Sequence, residues 1–175
     1  MRKFYNAVRP TALIVGLLLL AACGRHKHAP STEQSPAPAS AAPLPPFPAW
    51  AAPLIGKNLD GLYADSPACK GHFDAITVRH STPPAGVEVG GWAWDNVAMA
   101  PVDHLLFIDH ASTIVGAGSG GGVRPDVPKV LPEVTSQKTG WSGTINQVDG
   151  KVKAIALISG SKACEIGGFD LGSVG

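Results

Sequence analysis

Aromatic and charged side chains are scarce in this chain. Phe, Trp and Tyr supply 6% of its 175 residues, and Asp, Glu, Lys and Arg supply 15%. A formal net charge of +1 leaves no basic surplus to neutralise a phosphate backbone, so no nucleic-acid partner is expected. The apolar stretch at 11–20 (TALIVGLLLL) is far shorter than the roughly 20 residues that cross a bilayer, which argues against a polytopic membrane protein. Cysteine occurs only three times. Glycine (21) and proline (16) are abundant, together over a fifth of the chain. That composition disfavours a helical bundle or coiled coil and favours turns and short strands. The length allows one ordinary domain, or a small domain with extensions, and not a large multidomain enzyme.

The first residues have the layout of an export signal. Arg2, Lys3 and Arg9 precede the apolar stretch without an acid, and the small residues Ala21 and Ala22 follow it. Leu20-Ala21-Ala22-Cys23 resembles the lipobox of bacterial lipoproteins. The resemblance implies removal of residues 1–22 and acylation of Cys23, which would leave the protein anchored by lipid. Two or three acyl chains hold stably, at roughly 0.8 kcal/mol per buried methylene. Gly24 stands where the family's inner-membrane retention signal carries Asp, so the resemblance implies the outer membrane; the domain is expected to face the periplasm rather than the cell surface. Without the signal, 11 basic residues face 13 acidic ones, a formal charge of −2.

Residues 24–49 read as a tether. Sixteen of these 26 residues are Pro, Ala or Ser. Such a segment buries too little apolar surface to offset its ordering entropy, and its prolines favour extended polyproline II. Stretched out it would reach on the order of 80 Å at about 3.1 Å per residue. His26 and His28 are expected to be solvated there. The folded part is therefore expected at 50–175, behind a disordered tether at 23–49. With Cys23 taken by lipid, Cys69 and Cys164 remain as an even pair in an oxidising compartment, and a disulfide between them is expected.

Period-2 patterns recur through the folded part. Strands are expected at 73–79, 87–94, 102–108, 112–118, 140–147, 151–159 and 162–169, with turns at 83–86, 109–111 and 149–150. On 73–79, strict alternation sets Phe73, Ala75, Thr77 and Arg79 on one face and Asp74, Ile76 and Val78 on the other. Gly90-Gly91 suggests a bulge or close approach. Residues 118–134 read as a Gly-rich loop with a short helical turn, Asp126 as its N-cap, Pro128 in its first turn and Pro132 ending it. About seven short strands point to an all-β fold, a single antiparallel Ig- or fibronectin-like sandwich, with a small barrel as the alternative.

Gly91-Trp92-Ala93-Trp94-Asp95, Arg124-Pro125-Asp126-Val127 and Gly140-Trp141-Ser142-Gly143 together resemble a bacterial extracytoplasmic β-sandwich module, one found appended to membrane proteins of envelope glycan metabolism. The resemblance spans roughly residues 72–170 and brings no catalytic residues with it.

The candidate ligand-binding residues are Trp92, Trp94, Arg124, Asp126 and Trp141. Trp92 and Trp94 share a strand face, where they either pack a core or stack on a sugar ring. Arg124 could donate to loop carbonyls, or face a ligand. Asp103, His104, Asp109 and His110 cluster locally, but Asp103 and His104 point to opposite faces and Asp109-His110 suits a turn, so no metal is expected. Ser119 and Ser142 lack a nucleophile motif, and Gly120-Gly121-Gly122 lacks the residues of a P-loop. No cofactor is called for.

The expected role is a non-catalytic binding or scaffolding module in the cell envelope, with glycan or a protein complex as partner. One alternative is an inhibitor of lysozyme-type glycosidases, acting through a protruding loop at 118–127. Another is a polysaccharide-modifying enzyme, for which Asp95, Asp103, Asp109, Asp126 and Glu133 would have to supply two carboxylates about 5–10 Å apart.

Overall fold

The computed structural model describes residues 37–66, 68–158 and 161–172. The signal at 1–22, Cys23 and the tether as far as residue 36, His26 and His28 included, lie outside the described residues. The elements are β1 (Ala39–Pro43), β2 (Ala64–Asp65), β3 (Cys69–Thr82), β4 (Gly86–Asp95), β5 (Ala100–Pro101), β6 (His104–Ile108), β7 (Ile114–Gly122), α1 (Val127–Val130), β8 (Gly140–Ile145), β9 (Lys151–Ile158) and β10 (Lys162–Asp170). A 3-10 turn at Ala52–Leu54 precedes β2.

The fold is all-β, as expected, but its strands form one ten-stranded sheet in the order β1-β3-β4-β8-β7-β6-β9-β10-β2, with β5 beside β4. This replaces the expected two-sheet sandwich. Hydrogen-bonded pairing passes without a break from β3 through to β10, so no second sheet separates. The sheet encloses its core by rolling. Seven long strands of alternating direction make the path, and seven is odd, so β3 and β10 run the same way. Side chains join these two strands. Cys69 and Cys164 form the expected disulfide, with Cα atoms 6.1 Å apart. Two residues further along each strand, Ile166 lies against Gly71, where a β-carbon would come within 2.9 Å of it. Phe73 then stacks on Phe169 with ring centroids 3.5 Å apart.

The rolled interior holds Val87, Val89, Leu105, Phe107, Val115, Trp141, Ile145, Val152 and Ile166. Trp141 fits because Gly91 faces it on β4, and a β-carbon at Gly91 would overlap the indole. On the opposite face Leu106, Ile108, Ile114 and Ile155 are covered by residues 50–63, including Trp50, Leu54 and Tyr63. β6 (HLLFI) is thus apolar on both faces, which explains its uninterrupted hydrophobic run.

Three expectations need correction. The fold begins before residue 50: β1 lies within the expected tether and pairs in parallel with β3, Ala39 opposite Arg79 and Ser40 opposite His80. Leu44 behind it is buried. Next, residues 118–122 are strand, not loop, because β7 pairs with β8 as far as Gly122 opposite Gly140. A loop protruding over 118–127 is therefore reduced to its second half. Last, alternation on β3 is interrupted between Phe73 and Ala75, which pair with Gly91 and Gly90, so Asp74 is an extra, bulged residue. The bulge brings Phe73 and Ile76 to the same core-facing side, contrary to strict alternation.

Candidate functional site

The outer face of β3, β4, β8 and β7 is nearly bare of large side chains. Ala75, Gly90, Ser142 and Ser119 are successive partners across these four strands. Partners directly across a ladder face the same side, so they make one transverse row. Glu88, Thr144 and Ala117 form the row on one side, and His72, Trp92, Gly140 and Gly122 the row on the other. Small residues here leave a trough between the flanking segments. One end, about 420 Å³, is walled by Pro46 and Pro48 of the segment that follows β1. It continues past Thr77, Gly90, Ser119 and Ser142 into a second hollow of about 320 Å³ that ends at Asp74 and Arg124. Ser119, Ser142 and Thr77 are exposed on the floor. The Thr144 hydroxyl, buried beside them, has no hydrogen-bond partner.

Arg124 closes the far end. Its Nε and Nη2 donate to the two carboxylate oxygens of Asp126, at 2.9 and 2.7 Å, and Nη1 donates to Asp74. The forked pairing suits a guanidinium. Asp126 therefore does not cap α1 with its side chain, as was expected, and Arg124 meets carboxylates in place of loop carbonyls. The charged hydrogen bond from Arg124 pulls the Asp126 carboxyl down to about 2. Asp126, and after it Asp74, hold the Arg124 guanidinium firmly protonated. With its charge answered twice, this arginine positions the trough's end more than it recruits an anion.

The tryptophans take different places. Trp94 is 1% exposed and packs with Val127 and Val134 beneath the 123–139 excursion, while Trp92, half-buried, packs at its edge with Leu131. Trp141 is 4% exposed in the rolled interior, with its ring centroid 6.2 Å from Phe73 and 5.7 Å from Phe107. Of the three, Trp92 alone keeps a partly exposed ring, in the row next to Gly140. Trp50 lies edge-on to His104 at 4.3 Å and fastens the covering segment.

Asp103 is exposed just before β6, and the other acidic candidates have partners of their own. Buried Asp95 accepts from the Val97 and Ala98 N–H groups. Asp109 Oδ1 accepts from Ala111 and Thr113 N–H across the β6–β7 turn. Burial acts to raise the Asp109 carboxyl, but those N–H groups prevail and hold it below its ordinary value. Glu133 pairs with Lys70, which lowers its carboxyl too. Among the described residues, no group of three or more His, Cys, Asp and Glu is placed to hold a metal ion.

Sequence reasoning missed His80. It is 4% exposed, its Nδ1 lies 2.9 Å from the Ala42 carbonyl of β1, and its Nε2 lies 2.8 Å from Glu88 Oε1. The available signal was a histidine and a glutamate flanking the turn at 83–86.

The fold and site define an all-β, disulfide-linked domain with a trough of small and hydroxyl-bearing residues on its outer face. Comparison with models of known protein families, with curated proteins and with solved structures finds no match.

Proposed function

We propose that this chain is an outer-membrane lipoprotein, cut before Cys23 and acylated there, whose β-domain is a non-catalytic binding or scaffolding module in the cell envelope. The trough over Gly90, Ser142 and Ser119 carries the binding part of this reading. Its floor offers the exposed hydroxyls of Thr77, Ser119 and Ser142 to an extended ligand. A glycan strand or an extended protein segment would lie along it, the choice between them depending on what the envelope presents. The Cys69–Cys164 disulfide fits a compartment that oxidises thiols. The lipobox motif supports the anchor, and anchoring raises the module's local concentration at the membrane.

The test is affinity capture of the intact lipoprotein from crosslinked envelopes, beside Ser142→Arg, which fills the trough from an exposed position. The reading expects one dominant glycan or protein partner, lost in Ser142→Arg while the melting temperature stays within a few degrees. Capture of nothing, or of the same partner by Ser142→Arg, contradicts it.

A further inference from the structure

His80 is sealed between two groups that only accept hydrogen bonds. The Ala42 carbonyl stands at Nδ1 and the Glu88 carboxylate at Nε2, at 2.9 and 2.8 Å. A neutral imidazole carries one N–H and can satisfy one of them; serving both requires the doubly protonated ring. With 4% exposure, the side chain has almost no contact with solvent to replace a lost partner.

The two acceptors belong to different parts of the fold. Glu88 is on β4, inside the sheet, and lines the trough. Ala42 is on β1, the edge strand that leads into the Pro46–Pro48 wall. β1 (ASAAP) contributes no titratable side chain, and on β4 the acids are Glu88 and, at its far end, Asp95. On β3, neighbouring Arg79 is turned to the Val148 and Leu171 carbonyls. Glu88 is thus the charged group that faces His80. Besides its short parallel ladder with β3, β1 is held by Arg79 N–H to Pro38, Leu44 N–H to Pro84, the Thr82 hydroxyl to Ala41, and the buried Leu44 side chain.

We propose that His80 is a proton-operated latch, which in its charged form holds β1 and the following strap against the sheet and on losing its proton frees the strap and widens the trough at Pro46 and Pro48. The sign is fixed by linkage. The Ala42 carbonyl, then Glu88, raise the ring above the ordinary histidine value of 6.5, against the effect of burial. The closed state therefore binds more protons than the open one. The latch is fully engaged below 6.5 and is lost as pH climbs through the raised value.

The experiment uses the full chain with labelled histidine. Ring nitrogen signals report the protonation of His80, and amide exchange at Leu44, corrected for base catalysis, reports opening of the strap. The expected result is a doubly protonated ring at pH 6.5, with opening at Leu44 that increases with pH above it, by at most about tenfold per pH unit. Leu106, in the centre of the sheet, should show no such slope. In His80→Gln the slope should vanish. If that variant does not fold, Glu88→Gln removes the charged acceptor and should make the slope level off at a lower pH. A neutral ring at pH 6.5, a slope that persists in His80→Gln, or one that is unmoved in Glu88→Gln would overturn the latch.

Discussion

Asp74 and Arg124, 50 residues apart in sequence, form an ion pair across the end of the trough. The pair exists because of the β3 bulge opposite Gly90-Gly91, which inserts Asp74 as an extra residue. Arg124 reaches it from the chain leaving β7, over Gly140. Removing Asp74 as Asp74→Asn should loosen the 123–139 excursion, seen as faster amide exchange at Val127 and Val134. The global loss should stay near 1 kcal/mol, because the pair is partly exposed.

Acid should weaken the same corner. The Asp126 carboxyl is depressed to about 2 in the folded chain, against roughly 3.9 when unfolded. A depressed carboxylate contributes stability above its unfolded value and loses it as pH falls through the folded one. Melting temperature should therefore drop between about pH 4 and pH 2, with Glu133 and Asp109 acting in the same direction. Asp126→Asn should flatten that part of the profile; an unchanged profile would show that the corner does not couple to folding.

The seam between β3 and β10 depends on its disulfide. The bridge closes a separation of 95 residues, worth about 4–5 kcal/mol in the chain-entropy account. Cys164→Ser should cost a large part of that in denaturant titration and should abolish the mobility shift that reduction causes on a gel.

The tryptophans should separate by burial. Trp141→Ala empties the rolled interior beside Phe73 and Phe107 and should cost about 3–5 kcal/mol. Trp92→Ala, at a half-buried edge, should cost clearly less. If it unfolds the domain as thoroughly as Trp141→Ala, the 123–139 excursion is a larger part of the core than its packing indicates.

The seven long strands were legible because alternation, or in β6 a short apolar run, stands between turn residues. What escaped was whatever depends on a distant partner. β1 has the composition of a linker and becomes a strand only because β3 extends to Thr82 beside it. The glycines of 118–122 show no alternation, since they have no side chains to alternate, and their place in β7 is set by β8. The Asp74 bulge reverses faces within a segment that otherwise reads as regular. Two sheets were expected where one is found, because sequence marks strands but not which edges meet. At the site, Arg124 and Asp126 stood out as a pair, while Asp74 and His80, whose roles are set across strands, did not.

The proposed lipid anchor at Cys23 is the central claim. The most direct measurement is mass spectrometry of the N-terminal peptide of protein taken from its native envelope. The account predicts a chain that begins at Cys23 and carries a diacylglyceryl thioether. A chain that retains residues 1–22, or one with an unmodified Cys23 thiol, would contradict it.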